Sequence, residues 1–177
     1  MHGSAMVAAV NKNISRRDST MKRATKARGF TLLELLLVVA TILIILALAV
    51  ASLLRSRMAA NEASAASSLR VLNSACANYY VTWMGFPLTL SHLGPGNPPT
   101  ATAADLVDSL LAAGTKAGYN ISYISAPPSG GQVRAYTLSA SPVIPGLTGT
   151  RSFFTDQTGV IRQNSGAPAT AASTPLN

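Results

Sequence analysis

Residues 35–54 read LLLVVATILIILALAVASLL, and this run decides how the chain must be organised. Only Thr41 and Ser52 in it are polar, and none of its residues carries a charge. Twenty residues at the rise of an α-helix cover about 30 Å, the thickness of the hydrocarbon core of a bilayer. The apolar core of a cleaved signal peptide is shorter, roughly 7–15 residues. The run therefore predicts a membrane-spanning helix, which we place at residues 30–54.

The positive charge of the chain is concentrated before this run. The net charge is +8, and residues 1–28 account for +6 of it, with seven basic residues against Asp18. Because basic residues that flank a span stay in the cytoplasm, this asymmetry predicts a single-pass protein of the inner (cytoplasmic) membrane with a cytoplasmic N-terminus. A nucleic-acid surface would need basic residues clustered on the folded part. We therefore expect the remainder of the chain to be exported and to bind no specific nucleic acid.

Residues 1–28 are polar and lack apolar periodicity, which is typical of a leader outside the fold. The segment from Met21, MKRATKAR, would be a compact basic leader by itself, so Met1 and Met21 both remain candidate starts. Cys76 is the single cysteine, which excludes an intrachain disulfide bond.

From Phe30 to Trp83 the chain has neither proline nor glycine, and this predicts one helix of more than fifty residues. Gly85 and Pro87 should end it near Trp83. Its second half carries apolar residues at alternating spacings of four and three: Ala65, Leu69, Leu72, Cys76, Tyr79 and Trp83. Together with Leu54 and Met58 further back, they form one apolar stripe. The opposite side carries Asn61, Glu62, Ser64, Ser68, Asn73 and Asn78. The stripe needs a cover, and Cys76 is expected to be a small buried residue within it.

The cover is predicted to be an antiparallel sheet. Strand patterns occur at residues 119–125, 132–138, 151–155 and 160–162, with turn sequences between them. Before them, Thr102–Asp105 resembles a helix cap, followed by Leu106, Leu110 and Leu111 at helical spacing and Gly114 as the stop. We expect an α+β fold, in which the long N-terminal transmembrane-to-soluble helix is packed against a small C-terminal antiparallel β-sheet. The globular part is placed at residues 55–163, and the tail at 164–177 is expected to be flexible.

The stretch from Arg28 to Leu35, RGFTLLEL, raises a chemical question. Glu34 lies at the mouth of an apolar helix, and a charge inside such a helix costs about 2.5–3.5 kcal/mol on insertion scales. Glu34 therefore needs a partner, unless the headgroups or the positive end of the helix dipole accommodate it. The order of basic leader, glycine, phenylalanine, glutamate and apolar run resembles the processing site of type IV pilins and type II secretion pseudopilins. The resemblance covers residues 28 to about 54.

This resemblance implies the pilin ladle fold and a defined maturation. A prepilin peptidase would remove the leader, residues 1–29, by cutting after Gly29, and would methylate the new amine of Phe30. Glu34 would then pair with the N-terminal amine of a neighbouring subunit. An assembly ATPase and an inner-membrane platform protein are the further implied partners, beside the membrane and the subunit itself. Two departures from many pilins are the lack of a proline midway along the apolar segment and the lack of a C-terminal cysteine pair.

The function that the resemblance favours is a structural subunit of a type IV pilus, an extracellular filament for adhesion, twitching motility or related functions. The first alternative is a major pseudopilin of a type II secretion system. Such pseudopilins typically bind calcium through several acidic residues, whereas only Asp105, Asp108 and Asp156 follow Glu62 here. We expect Asp105 and Asp108 to serve in capping and solubility.

The lesser alternative is a signal-anchored periplasmic protein, which would leave the arrangement of Gly29, Phe30 and Glu34 unexplained. No serine–histidine–acid set, metal-spaced cluster or glycine-rich phosphate loop is present in the sequence. We therefore expect no enzymatic activity, no cofactor and no bound metal.

Overall fold

The structure, a computed structural model, describes residues 29–176. Within these residues, the chain divides into two units, the first ending at Ile44 and the second beginning at Ile45. The first element is helix α1, Leu32–Trp83, which confirms the predicted helix and its end near Trp83. Within the described range, α1 alone is long and apolar enough to cross a membrane, and no residue of its most apolar 18-residue window is buried. This is the coarse property that a membrane anchor requires.

The sheet belongs to the unit that begins at Ile45 and contains six antiparallel strands in chain order. The strands are β1 (Thr115–Lys116), β2 (Tyr119–Ser125), β3 (Tyr136–Pro142), β4 (Arg151–Asp156), β5 (Arg162–Ser165) and β6 (Thr174–Pro175). The predicted antiparallel α+β architecture is confirmed, since the second half of α1 packs against this sheet.

The bounds of two strands differ from the prediction. The second long strand begins at Tyr136 and not at residue 132, because Ser129 and Gln132 exchange backbone hydrogen bonds of 2.9 and 3.2 Å in the preceding turn. The strand expected at 160–162 begins at Arg162 instead, where register with β4 pairs it with Phe154. Both differences follow from the turns, whose closure decides which residues are free to enter the ladder.

The short helix also begins later than predicted. Helix α2 covers Ser109–Ala112 and is capped by Asp108, whose side chain accepts a hydrogen bond from the Leu111 N–H. The expected cap at Thr102–Asp105 is wrong, because the N–H groups of Leu106 and Val107 bond to the carbonyl of Leu93, 2.9 and 3.0 Å away. Leu93 ends a short 3₁₀ helix, Leu90–Leu93. These hydrogen bonds hold residues 106 and 107 against the 3₁₀ helix, so α2 begins only at Ser109.

The core confirms most of the predicted stripe and corrects its edges. Leu69, Leu72 and Cys76 are completely buried in one cluster with Leu138 and Phe153 of the sheet. Trp83 is partly buried against that cluster.

The start of the stripe and the polar side of α1 differ from the prediction. Leu54 is 41% exposed, so the stripe is covered only further along the helix. Glu62 and Ser68, which were assigned to the polar side, are buried as well. The covered face of α1 is therefore wider than apolar periodicity indicates.

The segment 164–177 also differs from the flexible tail that was expected. Its β6 strand pairs with β5, and the Leu176 N–H donates to the Ile161 carbonyl over 2.8 Å. Ala169 is buried, and the Arg162 guanidinium donates to the carbonyl of Ser173. Backbone pairing thus attaches part of this segment to the sheet.

Candidate assembly and processing site

The three residues singled out from the sequence, Gly29, Phe30 and Glu34, lie together at the beginning of the described chain. The leader that precedes Gly29 lies outside the described residues. Residues 29–31 precede the helix and have no regular secondary structure. No atom lies within 4 Å of where a Gly29 side chain would begin, and Phe30 is 76% exposed. Both residues that flank the Gly29–Phe30 peptide bond are exposed, which is the coarse property that access by a peptidase requires.

Thr31, immediately before α1, caps the start of the helix, a role that was not predicted from the sequence. Its Oγ1 accepts a hydrogen bond from the Glu34 N–H over 3.2 Å, and its carbonyl accepts from the Leu35 N–H at the same distance. Thr31-Leu-Leu-Glu34 is the sequence of a capping box, so the signal was present in the pattern. Glu34 consequently lies in the first turn of α1, where the helix dipole favours a negative charge.

The apolar side chains that follow are open to solvent. The large hydrophobic residues between Leu32 and Leu54 are 41–82% exposed. One side of this segment forms a shallow groove of about 420 Å³ lined by Leu32, Leu35, Leu36, Val39, Ala40 and Leu43. A continuous exposed apolar surface of this length is typical of contact with a membrane or with other protein chains.

Further along α1, Glu62 forms an ion pair that periodicity did not reveal. Its Oε1 accepts from the N–H and hydroxyl of Thr150, at 2.8 and 3.0 Å, and from the Arg151 N–H at 3.2 Å. Its Oε2 accepts from Arg151 Nε at 2.7 Å. The same guanidinium donates to Gln163 on β5. Glu62 thereby joins α1 to the first residue of β4.

The environment of Glu62 favours its ionised form. Burial alone would raise the pKa of this carboxyl, but the hydrogen bonds from Thr150 and Arg151 outweigh burial and hold the pKa below its ordinary value. A carboxylate that accepts four hydrogen bonds, one of them within an ion pair, has its lone pairs largely satisfied. Its role is therefore the attachment of the sheet to the helix.

Two further ionisable side chains, Asp108 and Cys76, have pKa values shifted by their surroundings. Hydrogen bonds from the Leu111 N–H and from Lys116 lower the pKa of Asp108, in keeping with the capping role predicted for it. Burial raises the pKa of the Cys76 thiol to about 12, so Cys76 is protonated at neutral pH. Between residues 29 and 176, no three metal-ligating side chains of the histidine, cysteine or carboxylate type come together.

Comparison with known proteins identifies no relative: no family model, no curated protein and no solved structure matches this chain. The function therefore has to be inferred from the residues themselves. An exposed glycine–phenylalanine pair precedes the helix, a carboxylate lies in its first turn, and an exposed apolar segment follows.

Proposed function

We propose that this chain is a structural subunit of a type IV pilus, which assembles through its N-terminal helix into a surface filament. The observation that carries the proposal is the two-part character of α1. Its first part is apolar and exposed, with Glu34 in the opening turn, and its second part is buried against a sheet. A subunit that is first held in a membrane and then packed into a fibre needs both parts.

Maturation starts from an anchored precursor. The +6 charge of residues 1–28 keeps the leader in the cytoplasm while the part after the span is exported. A prepilin peptidase then hydrolyses the bond after Gly29, which leaves a carboxylate on Gly29 and an amine on Phe30. The same enzyme then transfers a methyl group to that amine from an electrophilic methyl donor, and the amine releases a proton to solvent. The exposure of Phe30 and the open surroundings of Gly29 support this step.

Glu34 gives the assembly its selectivity. Its carboxylate is costly in a bilayer and needs a cationic partner there. The amine of Phe30 on a neighbouring copy is such a partner, and it exists only after cleavage. Pairing the two relieves the cost of burial and sets the register between copies, a use that buried polar groups serve in other assemblies. An assembly ATPase and a platform protein in the membrane would drive the extraction of each subunit.

The direct test is the intact mass of the chain in filaments sheared from cells and in cell membranes. We expect a chain that begins at methylated Phe30 and is abundant in the sheared material. The same processed chain found only in membranes would assign it to a secretion pseudopilin. An unprocessed chain in cells with a working prepilin peptidase would refute the proposal and leave a signal-anchored protein.

A pair of variants tests the role of Glu34. Glu34→Ala should be cleaved normally but should yield few filaments, because the amine of the neighbouring copy has no partner. Thr41→Ala is the matched control, since Thr41 is another polar residue of the segment and its hydroxyl donates only to the nearby Val38 carbonyl. Normal filament yield from Glu34→Ala would contradict the pairing mechanism.

A further inference from the structure

The loop between β3 and β4 presents large apolar side chains to solvent. Val143, Ile144 and Leu147 are 51%, 51% and 52% exposed. No charged residue occurs between Arg134 and Arg151, so nothing in the loop itself compensates for this exposure. Apolar side chains clustered at one loop tip are typical of a contact surface, whereas isolated ones are ordinary.

Hydrogen bonds fix the conformation of this loop. The Val143 N–H donates to the Gly118 carbonyl, and the Thr148 N–H donates to the Ile144 carbonyl, both over 2.9 Å. The Thr148 hydroxyl in turn accepts from the Ile144 N–H at 3.1 Å. A loop that is ordered before it meets a partner loses little entropy on binding. The exposed side chains are therefore held in a preformed arrangement.

The loop is attached to α1 just beyond the apolar segment. The Asn61 side chain donates to the Thr148 carbonyl over 3.0 Å, and Glu62 binds Thr150. Asn61 follows Leu54, the last residue of the apolar run, by seven positions, which corresponds to about 10 Å of helix. Beside the loop is a cavity of about 210 Å³ whose lining includes Pro142, Pro145, Ala167 and Pro168.

We infer that this loop is a docking surface for the apolar helical segment, residues 32–54, of a neighbouring copy of the chain. The inference rests on the proposed filament function and adds to it the surface that receives the helix. Both surfaces are exposed and apolar, and beyond Glu34 neither carries a charge. A stagger of about 10 Å or more between parallel copies brings the apolar segment of one copy level with the loop of the next.

The composition of the loop favours a protein partner over a lipid surface. Protein segments that bind the headgroup region of anionic membranes carry lysine or arginine beside their apolar residues. Residues 135–150 contain neither. The exposed side chains of Leu53 and Leu54, at the end of the apolar segment that this stagger brings level with the loop, offer an apolar surface for a side chain such as Ile144.

The first test compares Ile144→Asp with Val160→Asp, a matched exposed valine in the turn after β4. Ile144→Asp should be processed and should accumulate in membranes like the wild type. Its yield of sheared filaments should fall about tenfold or more, because each contact loses the burial of a large apolar side chain. Val160→Asp should assemble normally. The unfolding midpoint of both variants, followed by Trp83 fluorescence, checks that each one folds.

The second test places a photoreactive amino acid at position 144 in the full chain and maps its products in filaments. Adducts to residues 32–54 of a second copy support the inference. Adducts to phospholipid, to another protein or to a different region of a second copy overturn it, as does a normal filament yield from Ile144→Asp. A wild-type chain that never appears in filaments would instead refute the proposed function, and with it the docking surface.

Discussion

Replacement of Glu62 by alanine should destabilise the folded unit severely, although the position looks polar and ordinary in the sequence. The substitution removes the acceptor of four hydrogen bonds, three from the backbone and hydroxyl groups of Thr150 and Arg151 and one from the Arg151 guanidinium. The donors do not leave with it. They remain at the junction of α1 and β4 without a partner.

The magnitude follows from the exposure of the two ion-pair partners. Breaking a fully buried ion pair costs about 3–5 kcal/mol. The Arg151 side chain is 38% exposed and can regain water, whereas that of Glu62 is only 7% exposed. We therefore expect the lower end of the range, about 3 kcal/mol. In a unit of this size roughly 4 °C of melting temperature correspond to each kcal/mol, so the midpoint should fall by about 12 °C.

The assay is thermal unfolding of the full chain in mild detergent, followed by the fluorescence of Trp83, the single tryptophan. Asn78→Ala on the exposed side of the same helix is the control and should change the stability by less than about 0.5 kcal/mol. Glu62→Gln should lie between the two, because its amide oxygen still accepts from Thr150 while its NH₂ group opposes the Arg151 donor. A Glu62→Ala midpoint equal to that of Asn78→Ala would refute the argument.

The same ion pair predicts a pH dependence. The folded-state pKa of Glu62 is lower than its ordinary value of 4.5, so its contribution to stability is complete above the unfolded pKa. That contribution is lost as the pH falls through the folded-state pKa. The difference in midpoint between wild type and Glu62→Ala should thus be constant near neutrality and should shrink below pH 4.5. A difference that persists undiminished at pH 2 would contradict an ionic origin.

Three further substitutions or reactions probe the core. Leu72→Ala should lower the free energy of unfolding by about 2–5 kcal/mol, because Leu72 is fully buried. Val71→Ala should lower it by less than about 0.5 kcal/mol, because Val71 is 47% exposed. Equal denaturation midpoints for the two variants would contradict the assigned helix face. Cys76 should resist a maleimide at pH 8 in the native chain and react after unfolding, because burial raises its pKa to about 12; rapid native labelling would show that the stripe is open. Gly149→Ala should cost about 1–3 kcal/mol, because a methyl group there would overlap the Tyr119 ring, and chemical denaturation would detect it.

Local patterns predicted the parts of this fold that depend on neighbours in the chain. The absence of proline and glycine up to Trp83 predicted α1, and the spacing of Leu69, Leu72 and Cys76 predicted its buried face. The cap at Thr31 was available from the same kind of pattern and was missed. The predicted cap at Thr102–Asp105 was wrong because the Leu93 carbonyl accepts hydrogen bonds from the N–H groups of Leu106 and Val107. Those two N–H groups would have lain in the first turn of a helix that begins at residue 106.

The sequence by itself determined the apolar span, the side of the span on which the basic residues lie, the long helix and the antiparallel α+β class. These follow from composition and from periods of two and 3.6 residues, which act over a few neighbouring positions. Only the tertiary structure decided that Glu62 is buried and hydrogen-bonded, because its partner Thr150 is 88 positions away. The same is true of the pairing of β6 with β5. A carboxylate on a helix has the same local pattern whether water or a distant backbone satisfies it, so only folding distinguishes the two.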